Sequence, residues 1–161
     1  MTRAFVALGS NLDDPAAQIR AALAALAISP GISLRRASSL YRTAPVGYLD
    51  QPDFINAVAE IDSALSPTAL LALLFDLEAR FGRVRSFRNA PRVLDLDLLW
   101  FDGEHRSGPE LILPHPRMHE RAFVLIPLNE IAPGLSLGEH GAVRELAARI
   151  DAGGIERLAV D

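Results

Sequence analysis

The chain has 161 residues, 50% hydrophobic and 22% charged, which is typical of one globular domain. No apolar run reaches the ~18–20 residues of a membrane span, and the absence of cysteine excludes disulfides and a cysteine nucleophile. The net charge of −4 argues against general nucleic-acid binding, and the absence of lysine excludes a Walker A phosphate loop. We expect a single domain over 1–161, in a cytoplasmic, monomeric enzyme that binds neither nucleic acid nor a membrane.

Apolar spacing and turn-forming residues predict alternating strands and helices in the first two thirds of the chain. Asp14-Pro15 and Ser66-Pro67 are each typical of a helix start, as N-cap and first helical residue. The predicted order is β-α-β-β-α-β, which indicates a ferredoxin-like α/β (α+β) core with a C-terminal extension. The predicted strands cover 2–9, 32–42, 54–62 and 93–101, and the helices end near Ala27 and Phe81.

The last third of the chain is predicted to extend this core. Asp102-Gly103 is a strong hairpin signal after the strand at 93–101. A short helix is predicted at 117–122 and an amphipathic helix at 141–150. The loop at 43–53 contains two prolines and a glycine, and a loop of this length in a small domain is often functional.

Asp95 and Asp97 are two residues apart in the last predicted strand. Because side chains alternate between the faces of a strand, both carboxylates should point one way while the neighbouring leucines point into the core. Their Cα atoms are expected roughly 6.6 Å apart, a spacing at which two carboxylates can bind a pair of metal ions. Oxygen ligands suit Mg²⁺, which also binds substrate phosphates. The alternative is a solvent-facing strand edge whose carboxylates pair with arginine.

An arginine cluster precedes this pair. Five arginines and no acidic residue lie between 80 and 92, which suggests a compact polyanion as ligand. Carboxylates that bind metal, next to arginines, are typical of phosphate transfer. Arg92 and Arg85 could instead close ion pairs with the acids, and a solvated or structural role is expected for Arg80 and Arg88.

Other candidates have ordinary alternatives. His115 and His119 have the spacing of a metal pair on a helix, but Pro116 disfavours helix at His115, so zinc is not expected. Phe54 and Asn56 share one face of a predicted strand, as a flat, hydrogen-bonding heterocycle would need, although a core ring beside an edge amide has the same spacing. Glu78 and Phe123 have no distinguishing pattern of their own.

The segment from Arg88 to Leu99 closely resembles the signature of the 6-hydroxymethyl-7,8-dihydropterin pyrophosphokinases, a family of folate biosynthesis. The resemblance spans about residues 4–135, with its motifs in family order. The family commonly has tryptophan where this chain has Asn89. Supporting blocks are Ala7 to Leu12, Tyr41 to Thr43, Gln51 to Ala57, Gly82 to Arg85, Pro114-His115, and Arg121 to Phe123.

The resemblance implies transfer of pyrophosphate from ATP to the hydroxymethyl group of the pterin, giving the pterin diphosphate and AMP. It implies two Mg²⁺ ions held by Asp95 and Asp97, with Arg92 as a third catalytic residue. The loops at 43–53 and 82–92 would close over the substrates. The implied pterin site comprises Thr43, Val46, Phe54, Asn56 and Phe123, and the implied ATP side comprises Glu78, Arg85, Arg92, His115 and Arg121.

Three other classes compete with this interpretation. An RNA-binding module on the same fold would need stacked aromatic residues and a basic face, whereas aromatic residues are only 6% here. A regulatory domain for a neutral metabolite would have little use for paired aspartates beside arginines. The nearest alternative is another nucleotide-transfer enzyme with two metal ions.

Overall fold

A computed structural model describes residues 1–82, 91 and 93–159 of the chain. Within these residues lie an antiparallel sheet, four α-helices and two short 3₁₀ helices at Met118–Glu120 and Gly138–His140. The helices are α1 (Pro15–Ala27), α2 (Pro67–Arg80), α3 (Ala122–Ile131) and α4 (Val143–Arg149). The strands are β1 (Thr2–Ser10), β2 (Ile32–Ala37), β3 (Tyr41–Thr43), β4 (Phe54–Ser63), β5 (Asp95–Phe101), β6 (Arg106–Ser107), β7 (Ile112–Leu113) and β8 (Ile155–Arg157).

The main sheet has the order β5-β1-β4-β3-β8, with β2 also pairing β4. Because β2 and β3 follow each other along the same edge of β4, they form one interrupted strand. The predicted β-α-β-β-α-β core is therefore confirmed, with β1 and β4 at its centre. No helix in the described part of the chain is long and apolar enough to cross a membrane.

Helices α1 and α2 cover one face of the sheet. Both begin as predicted, with the side chains of Asp14 and Ser66 accepting hydrogen bonds from the backbone amides of Ala17 and Ala69. Burying one leucine side chain contributes about 1.5–3 kcal/mol, so this apolar layer outweighs the exposed ion pairs around it. Its fully buried members include Val6, Leu8, Ile19, Leu26, Leu70, Leu74, Leu77 and Leu94.

Helix α3 covers only part of the opposite face. It packs on β4 and on Phe5, Val58 and Leu99, which are buried beneath it. Farther along the same face, towards the end of β1 and the start of β5, the side chains of Asp95 and Asp97 are only partly buried. The face is thus divided into a helix-covered half and a more open end.

Four predictions of local structure are wrong in detail. The strand predicted at 32–42 is broken because the hydroxyl of Ser38, instead of a backbone carbonyl, accepts the amide of Val58. A turn forms at Asp102-Gly103, but β6 pairs with β7 and not with β5. The helix predicted at 117–122 is a 3₁₀ turn followed by α3, and β5 begins two residues later than predicted. Strand β8, which was not predicted, pairs with β3.

Candidate active site

Two carboxylates lie side by side on β5, as the alternation of its side chains predicts. Asp95 and Asp97 are both half-buried, whereas Leu94, Leu96 and Leu98 are almost fully buried on the opposite face. The two aspartates pair with Gly9 and Ala7 of the central strand β1. They therefore lie on the face of the sheet that α3 partly covers, at the end that α3 leaves open.

A row of side chains crosses the sheet beside this pair. Gly9 pairs with Asp95 on one side and with Asn56 of β4 on the other, so the three residues lie on one face across three strands. Two strand spacings place the Cα atoms of Asp95 and Asn56 roughly 10 Å apart. A Cβ atom at residue 9 would lie 2.9 Å from Oδ1 of Asn56, so the amide occupies the space that glycine leaves.

Asn56 is held in one orientation by a neighbouring strand. Its Nδ2 atom donates a hydrogen bond of 2.6 Å to Oγ1 of Thr43 on β3, and both residues are buried. Thr43 also pairs with Phe54 in the sheet, which places the ring of Phe54 on the same face two residues before Asn56. The structure therefore brings together Thr43, Phe54 and Asn56, three of the residues predicted for the pterin.

The start of α3 supplies a fourth predicted residue. Phe123 lies in the first turn of this helix, partly buried against the core beneath it. Arg121 is the N-cap residue of the same helix, and its guanidinium carbon lies 5.5 Å from the centre of the Phe123 ring. Phe123, predicted for the pterin, and Arg121, predicted for ATP, are thus adjacent at the N-terminal end of α3.

His115 lies on the predicted ATP side. Its backbone amide donates to the carbonyl of Leu99 on β5, and its Nδ1 atom accepts from the amide of Arg117 at 3.1 Å. The ring proton is therefore on Nε2. Burial and the positive charge of Arg121 lower the pKa of His115 to about 4, although Asp95 partly opposes the shift. A neutral imidazole with an Nε2–H donor is suited to a phosphate oxygen.

Glu78 supports the aspartate strand from behind. Its side chain is 3% exposed, and its Oε2 atom accepts the backbone amide of Leu96 at 2.7 Å. That amide lies between Asp95 and Asp97 in the chain. Helix α2 therefore contacts β5 at the position where the carboxylates project on the other face.

The loop between β3 and β4 is anchored at its far end. Asn11 donates from Nδ2 to Oε1 of Gln51 at 2.8 Å and to the carbonyl of Pro52 at 2.9 Å. Val46, predicted to contact the pterin, lies in this loop with 64% of its surface exposed. The roles of Gly9 and Asn11 were not predicted, although both lie in a block that carries the family resemblance.

Several predicted residues lie outside the described part of the chain. Arg92, predicted to be catalytic, and Arg85, predicted to bind ATP, are among them, as are Arg83, Arg88 and Asn89. Their roles stay predictions.

A cavity of about 590 Å³ is lined in part by His115. It is lined by Trp100, Met118 and the rings of His119 and His140, which stack with their centres 3.6 Å apart. Neither the aspartate pair nor Asn56 lines it. Of the residues proposed for phosphate transfer, His115 lines this cavity, whereas the aspartate pair lies on the open sheet face.

The donor atoms at Asp95 and Asp97 fit a hard divalent cation. They are carboxylate oxygens, which Mg²⁺ prefers, and they lie on one partly exposed face. Within 1–82, 91 and 93–159, no group of three or more histidine, aspartate or glutamate side chains could hold a metal ion. Water and substrate oxygens would have to complete the coordination of an ion there, as is usual for Mg²⁺.

Comparison with known proteins identifies the family. Residues 5–133 match the family described as 7,8-dihydro-6-hydroxymethylpterin-pyrophosphokinase. The chain belongs to this family. A relative from Methylorubrum extorquens, named 2-amino-4-hydroxy-6-hydroxymethyldihydropteridine pyrophosphokinase, is 48% identical over 98% of this chain and 99% of its own length. A protein of the same name from Pseudomonas aeruginosa is 47% identical over 97% of this chain and 96% of its own.

A solved structure of an HPPK-DHPS protein in complex with substrates has the same fold. It superposes with a TM-score of 0.76 at 13% identity, covering 99% of this chain and 47% of its own. This chain thus spans about half the length of that one. The predicted α+β fold is confirmed, as is the predicted family, a pyrophosphokinase family of folate biosynthesis that takes ATP as co-substrate.

Proposed function

We propose that the open end of the α3-side face is where this chain transfers pyrophosphate from ATP to 6-hydroxymethyl-7,8-dihydropterin. The observation that carries the proposal is the row of Asp95, Gly9 and Asn56 across three strands, with Asp97 beside it. In this reaction the hydroxymethyl oxygen forms a bond to the β-phosphorus. The bond from that phosphorus to the oxygen bridging the α-phosphate breaks, AMP leaves with the oxygen, and the hydroxyl proton is released.

The pterin is proposed to bind at the β3–β4 end of the row. Asn56, fixed by Thr43, offers an amide to the edge of the heterocycle, and Phe54 and Phe123 offer rings for its two faces. Val46 would contribute from the loop above. An amide held in one orientation discriminates between heterocycle edges, because a mismatched ligand leaves its buried groups unpaired.

ATP is proposed to bind at the β5 end. His115 would donate from Nε2 to a phosphate oxygen, and Arg121 would supply positive charge from the start of α3. Glu78 would act on this side by holding β5 through the Leu96 amide. Arg85 and Arg92 would bind phosphate oxygens by the family resemblance, Arg92 as a catalytic residue that neutralises developing negative charge.

Two Mg²⁺ ions are proposed to bind at Asp95 and Asp97, which makes the activity dependent on magnesium. When bound, they supply positive charge that neutralises and orients the phosphates. The two carboxylates project from one strand whose backbone is held between them by Glu78. The protein is further proposed to be a single domain over 1–161, a monomer, and cytoplasmic.

Substitution of Asp97 tests the proposed site. Asp97→Asn removes one negative charge from the pair, and we expect turnover to fall roughly 10³-fold, equivalent to about 4 kcal/mol of transition-state stabilisation. AMP formation from ATP and the dihydropterin is the measurement, with circular dichroism to verify folding.

Asp62→Asn is the matched control, because Asp62 is a half-buried aspartate on the far part of β4, paired with Arg35, and its substitution should leave turnover unchanged. Turnover of Asp97→Asn within tenfold of the unmodified protein would refute the assignment of the aspartate pair.

A further inference from the structure

Glu130, near the end of α3, is bound by several groups of the β2–β3 edge. Its two carboxylate oxygens each accept the backbone amide of Ser39 at 3.0 Å, and Oε2 also accepts the Ser39 hydroxyl at 3.0 Å. Oε1 accepts the hydroxyl of Tyr41 at 2.6 Å. Arg157 of β8 adds a charge 3.7 Å from Oε2. One carboxylate thus joins α3 to the chain segment that leads into β3.

The segment that Glu130 holds continues directly into the proposed pterin site. Tyr41 pairs with Asn56 in the sheet, and Thr43, two residues later, accepts the Asn56 amide. Tyr41 is itself 6% exposed, so its ring and hydroxyl are fixed on both sides. A displacement of Tyr41 would therefore be transmitted to Asn56 and Thr43.

The other end of α3 carries Phe123. Residues 123 and 130 belong to the same helix, roughly 10 Å apart along its axis. Glu130 therefore holds the last turn of a helix whose first turn bears a ring of the proposed site. The opposite wall of that site is the β3–β4 pair, to which Glu130 is bound.

We propose that Glu130 is a positioning residue that sets the separation between Phe123 and the Thr43–Asn56 wall, and thereby the affinity for the pterin. The inference rests on the proposed pterin site. Glu130 acts from the far end of α3 and through β3, and it contacts neither the substrate nor the reacting atoms. ATP should be affected less than the pterin, because only Arg121 of its proposed site lies on α3, whereas Asp95 and Asp97 lie on β5, on the opposite side of β1.

Glu130→Ala tests the proposal through the difference between the two ligands. We expect the dissociation constant for 6-hydroxymethyl-7,8-dihydropterin to rise about tenfold, and that for a non-hydrolysable ATP analogue to change less than about twofold, both by calorimetry. Glu130→Gln retains an acceptor for Ser39 and should restore most of the pterin affinity. Tyr41→Phe removes only one of the hydroxyls that bind Glu130, and it serves as the test if Glu130→Ala does not fold. We expect it to raise the dissociation constant for the pterin about threefold.

Ile19→Val is the control for stability, because Ile19 is fully buried on the opposite face of the sheet. A variant that merely loosens the fold should shift both dissociation constants alike or neither. Unchanged pterin affinity in both Glu130→Ala and Tyr41→Phe, or an equal loss for both ligands, would overturn the proposal.

Phe123→Ala, measured in parallel, separates this proposal from the proposed function. If Phe123→Ala weakens the pterin and Glu130→Ala does not, the positioning role is wrong and the pterin site stands. If neither variant weakens the pterin, the pterin site itself is misplaced.

Discussion

A missing side chain at residue 9 allows Asn56 to lie across the central strand. Its Oδ1 atom is 2.9 Å from where a Cβ would be, which is closer than Cβ atoms normally approach an oxygen. The amide would have to rotate or shift to admit a methyl group. Since Nδ2 of the same amide binds Thr43, that shift would also break the 2.6 Å hydrogen bond.

Gly9→Ala should therefore weaken pterin binding by about tenfold, which corresponds to about 1.4 kcal/mol. Calorimetric titration with the pterin is the measurement. Gly134→Ala is the matched control, because a Cβ there would meet no atom within 4 Å. Equal pterin affinity in the two variants would show that the position of Asn56 does not depend on glycine at residue 9.

Residues whose roles depend on local alternation could be predicted from the sequence. Asp95 and Asp97 are separated from the core leucines by the two-residue period of a strand alone. Glu78 could not be placed in the same way, because its partner is an amide 18 residues away that becomes available only when β5 forms an edge. The contact between Gly9 and Asn56 likewise depends on the register of β1 with β4.

Among the elements, β3 and α3 are joined by the ionised side chain of Glu130. Burial opposes this ionisation, but the hydrogen bonds from Tyr41 and Ser39 outweigh it and hold the pKa of Glu130 below 4.5. Burial and the hydrogen bond to Glu130 raise the pKa of Tyr41 from 10.0 to about 12. Both groups therefore keep their charge states at neutral pH, and the link between the elements is intact there.

The Tyr41 shift can be tested by a spectroscopic titration. The chain has two tyrosines, so in Tyr48→Phe the ultraviolet tyrosinate signal reports Tyr41 alone. We expect a midpoint near 12. Because the folded pKa is raised, the associated stability is present below pH 10 and is lost as pH rises towards 12.

Adding Glu130→Gln to Tyr48→Phe should lower this midpoint, since the carboxylate charge is removed. A midpoint of 10 in Tyr48→Phe itself would contradict the partly buried hydrogen bond between Tyr41 and Glu130.

The elements that the sequence did not predict depend on distant contacts or break a local rule. Helix α3 contains Pro127, which cannot donate a backbone hydrogen bond, and the helix predicted at 117–122 overlaps α3 only at its first residue. The proline is accommodated because the apolar side chains of α3 pack on β4 and on Phe5. Strand β8 has three residues and forms only because β3 presents an edge to it.

On the scale of the whole molecule, the two faces of the sheet differ. One face is covered by helices and contributes to stability, and the other is only partly covered and carries the proposed site. Helices α1 and α2 cover the first face, and that layer could be predicted from apolar periodicity. The second face combines an apolar half under α3 with an open end that carries carboxylate, amide and aromatic groups. The residues at its open end could be named from the sequence. Which part of the face stays open could not, because it depends on where α3 packs.

The most direct test of this division is the binding of each substrate to Phe123→Ala. Phe123 lies at the boundary between the α3-covered half and the open end, so removal of its ring should take away one wall of the pterin site, while Arg121 beside it keeps its charge for ATP. Calorimetry should show a dissociation constant for the pterin at least tenfold higher, a loss of about 1.4 kcal/mol or more in binding free energy. The dissociation constant for the ATP analogue should stay within about twofold of that of the unmodified protein. Equal weakening of both ligands, or unchanged pterin binding, would contradict the placement of the pterin at this end of the sheet.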